Sequence, residues 1–157
     1  MTKKLNRYFT IMRVILMCMP FACLAYLGVA GVWADAQGAL QASPTIAITF
    51  LSAMAQPYVA LLLKLVQRRL EDGREAYALL NLVLLFAAEI MFMSWIGVIG
   101  MLLLIYLAVR QADMGPVEML ARCKANALVR EAGGSVLVLL LAGICLFASI
   151  RVGFLPF

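Results

Sequence analysis

Histidine is absent from all 157 residues, and only 13% of them are charged. Without histidine the chain has no histidine-ligated haem, no mixed Cys/His zinc site and no histidine base beside a nucleophile. The four cysteines, Cys18, Cys23, Cys123 and Cys145, show no C-x-x-C spacing, which removes the common zinc and dithiol motifs. Cys18 and Cys23 are five residues apart on one predicted helix and so face different directions. Acids are few. Asp35, Glu71, Asp72, Glu75, Asp113, Glu118 and Glu131 fall in polar segments, which leaves Glu89 as the one acid inside an apolar run. Paired carboxylates for acid–base chemistry are therefore missing from the apolar runs. Glycine-rich phosphate loops are missing too, since Gly133-Gly134 is too short to make one. These absences argue against an enzyme, and neither a cofactor nor a metal is expected.

Hydrophobic residues make up 66% of the chain, against about 45–50% in an ordinary soluble domain. A chain this short exposes much of its area, so such an excess does not suit a water-facing surface. The apolar residues are gathered into long runs, the pattern of membrane spans. The net charge of +5 lies in short segments between those runs. Orientation in a bilayer accounts for it, and no nucleic-acid partner is expected.

The first run, Val14 to Trp33, follows Lys3, Lys4, Arg7 and Arg13. Basic residues before an apolar run, with Ala34-Asp35-Ala36 behind it, resemble a signal peptide. A signal-peptide core is about 7–15 residues, however, and this run is long enough to span, so an uncleaved first helix is the preferred reading. Pro20 within it removes one helix hydrogen bond and predicts a kink. A polar loop from Asp35 to Pro44 leads to a second run, 45–66, with a second predicted kink at Pro57. Lys64 near its inner end can reach the headgroups by its long stem.

The stretch from Ala76 to Val109 holds one charge, Glu89, in thirty-four residues. As one helix it would measure about 51 Å, against a hydrocarbon core of about 30 Å. A single crossing would put Arg110, Arg122, Lys124 and Arg130 outside. Two crossings, turning near Met93-Ser94-Trp95, keep every one of the 13 Lys and Arg residues except Arg151 on one side. The positive-inside rule selects the second layout. Ser94 suits the N-cap of the returning helix and Trp95 suits the interface. The spans are then about 14–33, 45–66, 75–93, 95–110 and 135–150.

Between the last two lies the one sizeable polar segment, with a predicted cytoplasmic surface helix over about 116–131. Pro116 suits its first position and Gly133-Gly134 its stop. Glu118, Arg122, Asn126 and Arg130 recur every four residues, and Lys124 joins them in a candidate surface for a partner or for lipid. The expected fold is one all-α, polytopic membrane bundle over 1–157. It has five transmembrane helices, a tight hairpin for the third and fourth, a cytoplasmic N-terminus, an outside C-terminus and one amphipathic helix. The basic N-terminus suits a bacterial cytoplasmic membrane.

A candidate intramembrane polar site comprises Glu89, Gln56, Ser52 and Thr49. Glu89 falls about four residues before the predicted turn, roughly 6–8 Å below the outer boundary. Thr49 and Ser52 fall at a similar depth and are candidate partners, while Gln56 lies nearer the midplane. An ionisable group in a span is either a proton or ion site or a carboxyl satisfied by a neighbour. Gln56-Pro57 is either interhelical glue at a kink or the broken helix of a transporter site, which usually needs a matching break in a second half of the chain. Asn81 is expected near Lys64. Gly28 with Gly31, and Gly97 with Gly100, mark close packing rather than the GxxxG dimer motif. The resulting expectation is a non-catalytic accessory or regulatory component of a membrane complex, in contact with lipid and with another membrane protein or itself. The alternative is a small oligomeric ion or solute transporter or channel using Glu89 and Gln56.

Overall fold

The computed structural model describes residues 3–29, 44–112 and 125–151. These form five helices and no strand: α1 (Lys3–Val29), α2 (Pro44–Glu71), α3 (Glu75–Met91), α4 (Trp95–Ala112) and α5 (Ala125–Arg151). Three of them carry stretches long and apolar enough to cross a membrane: Leu5–Tyr26, Ile46–Glu71 and Gly133–Arg151. Trp95–Arg110 on α4 is apolar but shorter.

The helix ends explain why α2, α3 and α4 are separate. At the end of α2, Gly73 takes a positive φ of 74°. Arg74 N–H then reaches the Arg69 carbonyl at 2.9 Å and Gly73 N–H the Leu70 carbonyl at 3.4 Å. That pair of bonds is a Schellman stop, with glycine at the left-handed position it favours. The same device ends α3. Ser94 N–H reaches the Glu89 carbonyl at 3.1 Å and Met93 N–H the Ile90 carbonyl at 3.0 Å, but here the left-handed residue is Met93, with φ 55°. A side chain in that conformation costs about 1–2 kcal/mol. Met93→Gly is therefore expected to raise stability by about 1 kcal/mol, less a few tenths for the freer unfolded chain. Reversible unfolding in mixed micelles would measure it. Ser94 then starts α4 as anticipated, since Gly97 N–H donates to Ser94 Oγ at 3.2 Å, an N-cap bond.

Four helices close a ring in which α1 packs on α2, α2 on α3, α3 on α4, and α4 back on α1; α5 lies against α2 and α3. Leu62 meets Gly134 and Ser52 bonds Cys145, so α2 and α5 run antiparallel. Ser135 bonds Asn81 and Met91 meets Gly143, so α3 and α5 run parallel. The core fills the ring with Phe9 and Leu16 of α1, Val59, Leu63 and Val66 of α2, Leu82 and Leu85 of α3, and Met101 and Leu104 of α4. The outer faces are apolar as well. Phe21 is 72% exposed, Trp95 79%, and Ile99, Leu140, Ile144 and Phe147 each more than half. Apolar groups on both faces suit a bundle whose solvent is lipid.

The described helices depart from the sequence reading at both ends of the chain. α1 begins by Lys3, so the helix takes in the basic residues ahead of the span expected from Val14. Gly133-Gly134 does not stop a helix, because α5 runs unbroken from Ala125 to Arg151. The reason is packing. A Cβ on Gly134 would lie 2.6 Å from Leu62 Cδ2, so the glycine is the contact that brings α5 onto α2, at a helix-propensity cost of about 1 kcal/mol relative to alanine. The first part of the expected surface helix, with Glu118, Arg122 and Lys124, lies outside the described residues; Asn126 and Arg130 belong to the first turns of α5. Both internal prolines sit within continuous helices, Pro20 in α1 and Pro57 in α2.

Candidate functional site

Polar groups inside this bundle are few, and most of them join one helix to another. Near the cation-rich ends of α1 and α2, Arg13 Nη2 donates to Gln67 Oε1 at 2.8 Å, and Gln67 Nε2 donates to Asn6 Oδ1. Between α3 and α5, Ser135 Oγ donates to Asn81 Oδ1 at 2.7 Å, while Asn81 Nδ2 donates to the Tyr77 carbonyl at 2.7 Å. Asn81 is thus joined to Ser135, while the side chain of Lys64, expected near it, is exposed. Hydropathy could not distinguish the two, because depth along the bundle does not say which helix is adjacent.

The densest polar cluster surrounds Glu89. Its side chain is 0% exposed and that of Gln56 3%. Gln56 Nε2 of α2 donates to Glu89 Oε2 of α3 at 3.2 Å. The Ser94 hydroxyl also bonds the Glu89 carboxyl, and Ser94 Oγ in turn accepts from Gly97 N–H at 3.2 Å. The carboxyl lies directly over Gly97, where an added Cβ would fall 1.9 Å from Glu89 Oε2 and 2.5 Å from its Cδ. One carboxyl is therefore held by α2, by the turn after its own helix and by the bare backbone of α4. Two oxygens in the cluster, Glu89 Oε1 and Gln56 Oε1, are buried without a partner among the described residues.

The four residues expected to form one polar site separate into two places. Gln56 joins Glu89, whereas Thr49 and Ser52 do not. These two line a cleft of about 230 Å³ with Ile48, Met91, Phe92, Met93, Cys145 and Ser149. In it Ser52 bonds Cys145, and Ser149 Oγ donates to the Cys145 carbonyl at 2.9 Å. Equal depth suggested Thr49 and Ser52 as partners for Glu89. Steps of four and seven residues would keep all three near one face of a regular helix, yet the contacts take Thr49 and Ser52 to the cleft beside α5 and Gln56 to Glu89 of α3. Gly97 and Ser94 were legible as packing and capping residues but not as parts of the Glu89 site.

A second close approach joins α4 to α1. A Cβ on Gly100 would lie 2.2 Å from Met12 Sδ, so Gly97 and Gly100 both serve contacts within one chain. Beside it, Tyr8, Ile11, Met12, Ile15, Gly100, Leu103 and Leu104 line an apolar groove of about 230 Å³. Among the described residues, no group of three or more Cys, Asp or Glu side chains has a geometry that would hold a metal ion. No protein-family model, curated protein or solved structure matches this chain.

Proposed function

We propose that this chain is a small, non-catalytic component of a membrane complex, an accessory or regulatory subunit whose interior polar groups hold helices together. One observation carries the reading: Glu89 and Gln56 face into the bundle, bonded to each other. Side chains so placed are not available to line a passage between copies, which weighs against an oligomeric channel using them. Interhelical bonds of this kind are worth about 0.6 kcal/mol each on average in a bilayer, up to about 1.7, and they fix which helices meet.

In this proposal the chain crosses a bacterial cytoplasmic membrane five times, with its N-terminus inside and its C-terminus outside. α3 and α4, of 17 and 18 residues, are about 26 and 27 Å long. Local thinning of the bilayer accommodates two short crossings, and the exposed Trp95 ring marks their outer boundary. Single cysteines at positions 35 and 124, in a background without the native cysteines, should react with impermeant maleimide from opposite sides. Labelling of both from one side would rule out this layout.

The partner is a second membrane protein, engaged through the charged segment that contains Glu118, Arg122, Lys124, Asn126 and Arg130. Extraction in mild detergent followed by native mass spectrometry should give a stoichiometric hetero-complex, and that complex should be lost when Arg122, Lys124 and Arg130 are replaced by glutamate. A homo-oligomer that conducts ions in proteoliposomes, with flux abolished by Glu89→Gln, would overturn the reading in favour of the transporter or channel.

A further inference from the structure

The two unpartnered oxygens of the Glu89 cluster pose a problem of donors and acceptors. Glu89 Oε1 and Gln56 Oε1 are both buried and both without a partner, and they belong to end groups already joined by the bond from Gln56 Nε2 to Glu89 Oε2 at 3.2 Å. An ionised carboxylate offers acceptors only, and the oxygen of a glutamine amide is likewise only an acceptor. Two such atoms cannot satisfy each other, and a buried polar atom left unsatisfied costs about 1–3 kcal/mol. Relief from a basic residue is not at hand: no lysine or arginine is among the buried polar residues described, and Arg13, whose Nε is buried, bonds Gln67, about three turns along α2 from Gln56. An isolated carboxylate in a medium of low dielectric is far costlier than a neutral acid.

We propose that Glu89 and Gln56 form a proton-holding site: the carboxyl carries a proton on Oε1 and donates it to Gln56 Oε1, closing a ring of two hydrogen bonds between acid and amide. The torsions that orient a carboxyl and an amide are soft, so closing the ring needs little change in either backbone. Oε2 remains an acceptor for Gln56 Nε2 and Ser94. Gly97 makes room for the pair, because any side chain at that position would occupy the space of the carboxyl. The site is formed within one chain, so it does not depend on the partner proposed above.

The test is infrared spectroscopy of the full chain in lipid at neutral pH, with glutamate labelled by ¹³C at the side-chain carboxyl. The remaining acids, in polar segments, report as ionised carboxylates. The unlabelled protein should show a protonated carbonyl band that moves down in frequency with the label. That band should vanish in Glu89→Gln and move up in Gln56→Leu, where its hydrogen-bond partner is gone. The labelled wild-type protein decides the question even where a variant does not fold. Absence of any label-sensitive protonated band overturns the proposal. So does a carboxylate band at Glu89 that shifts when sodium is exchanged for potassium or choline, which would make the cluster a cation site instead.

Discussion

Gly97→Val is expected to deplete the folded bundle, with a loss of about 3 kcal/mol or more, read as a large fall in the fraction that refolds in mixed micelles. Over-packing a tight core usually costs about 1–3 kcal/mol. Here the first carbon alone would fall 1.9 Å from Glu89 Oε2 and 2.9 Å from Ser94 Oγ. Glu89 has a flexible end, but moving it breaks its bonds to Gln56 and Ser94, leaving buried polar groups unpaired. Gly100→Ala is the internal control. Its Cβ would also be too close, at 2.2 Å from Met12 Sδ, yet methionine adapts by rotating three unbranched bonds, and alanine favours the helix by about 1 kcal/mol over glycine. Little or no loss is expected there. Equal losses at the two positions would show that the Glu89 cluster does not give Gly97 its importance.

Replacing Glu89 and Gln56 separately should cost more than replacing them together. Glu89→Leu strands the Gln56 amide, and Gln56→Leu strands the carboxyl, each leaving polar atoms in the core at a cost of about 1–3 kcal/mol. The double variant removes both polar ends and substitutes apolar groups of similar size, so its cost should be less than the sum, with a coupling of about 0.6 kcal/mol and at most about 1.7. Thermal or denaturant unfolding of the four proteins in the same detergent gives the cycle. Strict additivity would mean that the 3.2 Å bond contributes nothing to holding α2 against α3.

That the chain holds helices long and apolar enough to cross a membrane was legible from composition and run length. Lipid is as apolar as leucine, so a bundle within it needs hydrophobic residues on every face, and that excess is visible without coordinates. The break at Ser94 was legible too, partly from the capping chemistry of serine and partly from charge. The stop before it was not, because Met93 fills a left-handed position where glycine is the usual marker. Gly133-Gly134 misled for the opposite reason: glycine ends helices but also lets them touch, and only the presence of Leu62 opposite Gly134 decides which it does. Asn81 could be placed in depth, yet its partner Ser135 lies 54 residues away in sequence.

By itself, then, the sequence determined that the chain is helical and carries runs long and apolar enough to cross a membrane, since these follow from which residues are present and in what order. Tertiary structure alone decided that Glu89 meets Gln56 over Gly97 while Thr49 and Ser52 turn toward Cys145. Hydropathy fixes depth along a helix, but neighbours depend on rotation about its axis, and that rotation is set by how all five helices pack at once.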